Sequence, residues 1–247
     1  MRRVFRVAAA LLVLTALPAA AAEVSVAVAA NFTKPAEELG AAFTAKTGDN
    51  VVFSFGATGG LYTQISQGAP FEVLLAADNK RPSLAVTEGL GVAGTVFTYA
   101  VGKLALYSPT LDLTDGAAVL TAGNFQHIAI ADPATAPYGA AAVEAIEKLG
   151  LSAALEPKKV TGENISQTLQ FIESGNAELG FVALSQVAGK PAAQVWPVPA
   201  EDHGPILQDA VLLKAGEDNP AARAFLAFLR SEEARAIIEA YGYEMGH

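Results

Sequence analysis

Asn31, Thr58, Tyr138 and the pair Asn164-Ile165 stand at one kind of place in this sequence. Each follows an apolar run and opens a stretch with helical periodicity. Helix starts present N–H groups that lack intrahelical partners, together with the positive end of the helix dipole, so such positions attract anions. The segment SFGATGG, residues 54–60, adds a threonine hydroxyl and three glycines that let backbone amides come close to a ligand. Lys and Arg are missing from all four loop cores, and Lys34 lies beyond Asn31 in the following helix. Neutral amides and hydroxyls can hold a buried anion, because a buried charge needs hydrogen bonds more than a counter-charge. A shell of donors alone also turns away protonated ligands, whose O–H would find no acceptor. Each feature has a plain structural explanation as well: glycine-rich segments make tight turns, asparagines cap helices, and tyrosines pack at surfaces. The anion-binding reading rests on the four loops facing one cleft.

The elements that carry these positions repeat as a short apolar strand, a Gly- or Asn-bearing loop and an amphipathic helix. Val24 to Val28 alternates as a strand. The pattern then predicts a helix from Pro35 to Ala45 with Ala36, Leu39, Ala42 and Phe43 toward the core. Val51–Phe55 and Phe71–Ala76 read as the next strands, and a second series begins at Ile128–Ala131 and ends with the strand Leu179–Leu184. Alternating strands and helices predict an α/β class with parallel sheets covered by helices on both sides. Residues 96–107 and 206–213 read instead as long extended segments. They suggest a chain that crosses between two lobes and returns, with residues 23–102 and 204–247 in lobe I and 103–203 in lobe II. A single doubly wound domain is the simpler alternative, and periodicity does not separate the two.

Residues 1–22 have the makings of a signal peptide: basic MRRVFR, apolar VAAALLVLTAL and the small residues Ala20-Ala21-Ala22 before Glu23. The apolar run is too short to span a membrane. Three of the 16 basic residues would leave with it, so the net charge falls from −9 to 13 − 25 = −12. That balance disfavours nucleic acid and anionic membranes as partners. The chain has no cysteine, which removes disulfides, thiol catalysis and thiolate metal sites. Neither a G-x-S-x-G elbow nor a G-x-x-x-x-G-K-[ST] loop is present, and His127, His203 and His247 are far apart in sequence. Glu201-Asp202-His203 reads as a solvated acidic loop more readily than as a metal site. Tyr241 and Tyr243 would suit ferric iron only with nearby carboxylates and an anion, and read better as packing residues.

Several segments carry a family resemblance, in order and over nearly all of the chain beyond residue 22. They are VSVAVAANFTKPAEEL, the glycine segment with LYTQISQGAPFEVLLAAD, DPATAPYGAAAVEAIEKLG, GENISQTLQFIESGNAELGFVALSQV and QDAVLL. Together they resemble periplasmic molybdate-binding proteins of ABC importers. The resemblance implies a type II periplasmic binding protein fold, two α/β lobes joined by two crossing strands. It implies a monomeric, non-enzymatic periplasmic carrier without a cofactor, whose ligand is molybdate or tungstate and whose partner is a membrane permease. Matched by motif, the oxyanion-binding residues become Ala30, Asn31, Thr58, Tyr138 and Ile165. Two departures stand out. Many relatives have serine at the position of Asn31, so a hydroxyl donor becomes an amide N–H donor. Many also have a ligand-contacting tyrosine where this chain has Ala183, and Tyr138 is placed to supply a phenol from the opposite wall. A binding protein for another anion such as sulfate, or for ferric iron, is the alternative.

Overall fold

A computed structural model describes residues 21–246, so the expected leader lies outside the described residues apart from Ala21 and Ala22. Among the described residues, ten strands form two five-stranded sheets. They are β1 Glu23–Ala29, β2 Asn50–Gly56, β3 Val73–Leu75, β4 Phe97–Gly102, β5 Leu104–Tyr107, β6 Ile128–Ala131, β7 Lys159–Gly162, β8 Leu179–Ala183, β9 Val195–Pro197 and β10 Ile206–Leu212. The first sheet has the order β2-β1-β3-β10-β4 and the second β7-β6-β8-β5-β9. The chain leaves the first sheet after Gly102, enters the second at Leu104, and returns between Pro197 and Ile206.

Both sheets are mixed rather than parallel throughout. In the first, β1 pairs in parallel with β2 and β3, while β10 runs antiparallel to β3 and β4. In the second, β6 pairs in parallel with β7 and β8, while β5 runs antiparallel to β8 and β9. The parallel strands are joined through helices, which the alternation of sequence patterns encodes. The strands β5 and β10 arrive from the other lobe, and nothing local in their sequence sets their direction.

The helices are α1 Thr33–Thr47, α2 Thr58–Ser66, α3 Lys80–Thr87, α4 Gly116–Ala122, α5 Pro137–Lys148, α6 Ser152–Leu155, α7 Ile165–Glu173, α8 Pro220–Phe228 and α9 Glu232–Ala240. Along α1, Pro35, Ala36, Leu39, Gly40 and Phe43 are buried at the spacing that keeps one face inward, and Ala42 is half-buried against the same core. Pro35 falls in the first turn, where its missing N–H loses no helical bond. The Phe43 ring packs edge-on against Phe225 of α8, 5.3 Å between centroids, tying the chain's end to its beginning. Val24, Val26 and Val28 of β1 and Leu104 and Leu106 of β5 are fully buried, each at the centre of its own lobe's core.

Candidate functional site

Four loop-to-helix junctions meet where the lobes face each other. A short turn of 3₁₀ helix, Ala30–Phe32, follows β1, and α2 follows β2; α5 follows β6, and α7 follows β7. All four leave the carboxyl ends of parallel strands, the place where open α/β sheets bind ligands. Residues from all four junctions, with Ala77 after β3, line a cavity of about 10 Å³. Pockets for metabolites run to roughly 300–1,000 Å³, whereas this space, with the lobes as they stand, admits little more than a single water molecule. Ala30, Asn31, Thr58, Tyr138 and Ile165 all contribute to the lining. Each of them is no more than 5 % exposed.

The cavity is rich in uncommitted donors. Ala29, Ala57 and Ala136 occupy the capping positions before the first three helical turns and offer no side-chain acceptor. Asn164 does cap α7, but its oxygen takes Ser166 N–H at 3.0 Å and Gln167 N–H at 3.1 Å, one and two residues past Ile165. Among the described residues, the N–H groups of Asn31, Thr58, Tyr138 and Ile165 therefore have no protein partner outside the helices they open. A buried N–H without an acceptor is costly, and four around one small space amount to a site for an acceptor-rich guest. The missing caps were visible in the sequence as alanines where Ser, Thr, Asp or Asn would ordinarily stand.

Thr58 supplies a fifth donor. Its Oγ1 accepts the Ala77 N–H at 3.0 Å, which fixes the hydroxyl's orientation and leaves its proton to donate. No Lys, Arg, Asp, Glu or His lines the cavity. The nearest guanidinium, that of Arg81, is ion-paired with Asp78 and donates to the Ala134 carbonyl at 3.2 Å. With Asp78, Lys80 and Glu144 it lines an adjoining groove of about 550 Å³ that shares Ala77, Ala136 and Pro137 with the cavity.

Two sequence expectations are corrected. The Asn31 side-chain amide is not free to serve a ligand: it donates to Gln208 Oε1 at 2.6 Å and to the Tyr243 hydroxyl at 3.0 Å. Both amide protons are thereby used, as burial demands, and the residue's free donor is its backbone N–H. The Tyr138 hydroxyl also turns away from the cavity. It lies against Gly102 at the crossing, where an added Cβ would come within 2.1 Å of it. Burial pushes this phenol's pKa well above its ordinary value, with the neighbouring Tyr243 and Tyr99 adding to the effect. Tyr138 thus faces the cavity through its backbone and the sides of its ring. Ala183 ends β8, fully buried and outside the lining.

The other residues singled out in the sequence are engaged elsewhere. Tyr241 donates to Glu38 Oε2 at 2.8 Å, whereas Tyr243 is buried behind Asn31, so the two phenols do not pair. Among the described residues no three His, Cys, Asp or Glu side chains group as metal ligands. His203 Nδ1 is 2.7 Å from its neighbour's carbonyl oxygen, that of Gly204. Of the three glycines in SFGATGG, only Gly59 is under steric pressure.

The lobes are in contact around the cavity. Gly59 N–H donates to the Thr135 carbonyl at 2.8 Å, and Ser166 Oγ donates to the Ala30 carbonyl at 3.2 Å. A Cβ on Gly59 would sit 2.8 Å from Arg81 Nη2 and 3.0 Å from Thr135 Cα, so a side chain there would press the first of these contacts apart.

Comparison with known proteins agrees with this arrangement. Residues 24–244 match the family described as bacterial extracellular solute-binding protein. The molybdate-binding protein ModA of Rhodobacter capsulatus is 56 % identical over 92 % of this chain and 90 % of its own. ModA of Azotobacter vinelandii is 53 % identical over 93 % of each. Among solved structures, the Azotobacter vinelandii periplasmic molybdate-binding protein superposes with a TM-score of 0.86 at 37 % identity, covering 91 % of this chain and 100 % of that one.

Proposed function

The chain belongs to the bacterial extracellular solute-binding proteins, among their molybdate-binding members, and from that premise we propose that it captures molybdate between its lobes and hands it to an ABC importer. It is a binding protein and not an enzyme. The observation that carries this reading is the set of four unengaged N–H groups, two from each lobe, around a small cavity with no charged side chain. A tetrahedral dianion offers acceptors in every direction and no proton, which is what such a shell selects. Ala30, Asn31, Thr58, Tyr138 and Ile165 are the ligand residues, acting through backbone N–H groups and the Thr58 hydroxyl. Tungstate, of the same charge and shape, is the second ligand. No cofactor takes part.

Binding proceeds from an open form in which the anion meets one lobe's donors first. Closure then adds the other lobe's donors and excludes water, drawing on a pre-existing equilibrium between open and closed forms. The division is residues 23–102 with 204–247 against residues 103–203. The protein works as a monomer in the periplasm, sent there by residues 1–22, and the closed form is what the permease recognises. Calorimetric titration with molybdate, tungstate, sulfate and ferric citrate tests the assignment: tight binding of the first two is expected. A preference for sulfate, or heat only with iron, overturns it.

A further inference from the structure

The C-terminal Tyr243 reaches the cavity lining at Asn31 and at the phenol of Tyr138, and its hydroxyl has no spare capacity. It donates to the Asn31 carbonyl at 2.9 Å and accepts from Asn31 Nδ2 at 3.0 Å and from Ser185 Oγ at 2.8 Å. One donated and two accepted bonds are all that a phenol can make. The ring packs edge-on against Phe32, the next residue of the same loop, with centroids 5.3 Å apart. Residues 241–246 are held in turn on the crossing strand β4, where Val101 and Glu244 exchange backbone bonds of 2.7 and 3.1 Å. Ser185 follows β8, so of the three partners it alone comes from the opposite lobe. The Asn31 N–H can point into the cavity only while its peptide units keep this orientation, and Tyr243 grips Asn31 by both its carbonyl and its side chain.

We infer that Tyr243 is a positioning residue for the first oxyanion loop, and that Ser185 docks on its hydroxyl when the lobes close, so that closure and the aim of the Asn31 N–H are coupled. This rests on the molybdate reading above. Burial pushes the Tyr243 phenol's pKa upward, so the group stays protonated and able to donate.

The test is molybdate calorimetry on the full mature chain and on Tyr243→Phe, Ser185→Ala and the double variant, with thermal melts of each without ligand. Tyr243→Phe is expected to weaken binding about tenfold or more, since it leaves buried partners unsatisfied. Ser185→Ala is expected to weaken it less and to leave the ligand-free melting temperature unchanged. Because Ser185 Oγ also lies 3.3 Å from the Asn31 carbonyl, it should still cost something in the Tyr243→Phe background, but less than it costs alone. A purely structural tyrosine would lower the melting temperature without this coupling in affinity. Parental affinity in Tyr243→Phe, or fully additive losses in the double variant, overturns the role while the function reading survives. No heat from the parent protein overturns both.

Discussion

Thr58 shows how much depends on one hydroxyl. Because the Ala77 N–H occupies one lone pair, the hydroxyl's single proton is aimed, and rotation away from the cavity would break a buried bond. Thr58→Val removes both functions and is expected to weaken molybdate binding by about 1–3 kcal/mol, with Thr58→Ser retaining most of the affinity. Tyr138→Phe should cost less, because the deleted hydroxyl lies at Gly102 and not at the cavity. Calorimetry on the three variants checks the ranking, and a larger loss from Tyr138→Phe would reverse it. Thr58 was legible because its loop chemistry is local, although its partner Ala77, 19 residues on, was not. Asn31 was legible only as a position. The acceptors that take its amide protons, on Gln208 and Tyr243, are 177 and 212 residues away, and no local pattern announces them.

Among the elements, the helix starts and the glycine segment were readable as positions, whereas the absence of caps at three of the starts and the directions of the crossing strands were not read. SFGATGG suggested three glycines serving backbone approach. In the fold Gly60 faces open space and Gly56 would tolerate a Cβ at 3.4 Å from Leu61, leaving Gly59 as the glycine of the three at which the lobes meet. Gly59→Ala should therefore hinder closure and weaken binding about tenfold or more, while Gly60→Ala, on the same helix, changes affinity little. Dissociation rates for the two variants separate this from a general loss of helix stability. On β10, Asp209 is nearly buried and accepts from Thr98 Oγ1 at 2.7 Å. Burial raises its pKa, the Thr98 bond opposes this, and Asp78 nearby raises it further. The folded chain thus holds a proton there more readily than the unfolded chain does. That contribution to stability is present at low pH and is lost as pH rises through the raised pKa. Asp209→Asn keeps an acceptor for Thr98 without the charge, so its melting temperature should exceed the parent's at neutral pH. The gain should fade on acidification into the carboxylate range.

For the whole molecule, the charge balance and the neutral cavity make a joint prediction. The chain carries a net charge of −9, or 13 − 25 = −12 without residues 1–22; either repels a dianion at long range, so the association rate should rise with ionic strength as screening sets in. With the anion held by amides and a hydroxyl as proposed, the affinity should stay flat between about pH 6 and 9, because the only ionisable group in the lining, Tyr138, titrates well above its ordinary value. Stopped-flow and calorimetric series in salt and pH check both. A loss of affinity toward alkaline pH would mean that a lysine holds the anion. The two five-stranded sheets, each contributing two of the four helix starts, carry a last consequence. A grip shared between two jaws can be undone by prising them apart. Splaying the lobes would strip one jaw's contacts from the cargo in one stroke, with no need for a proton, a reductant or a competing ion to empty the carrier.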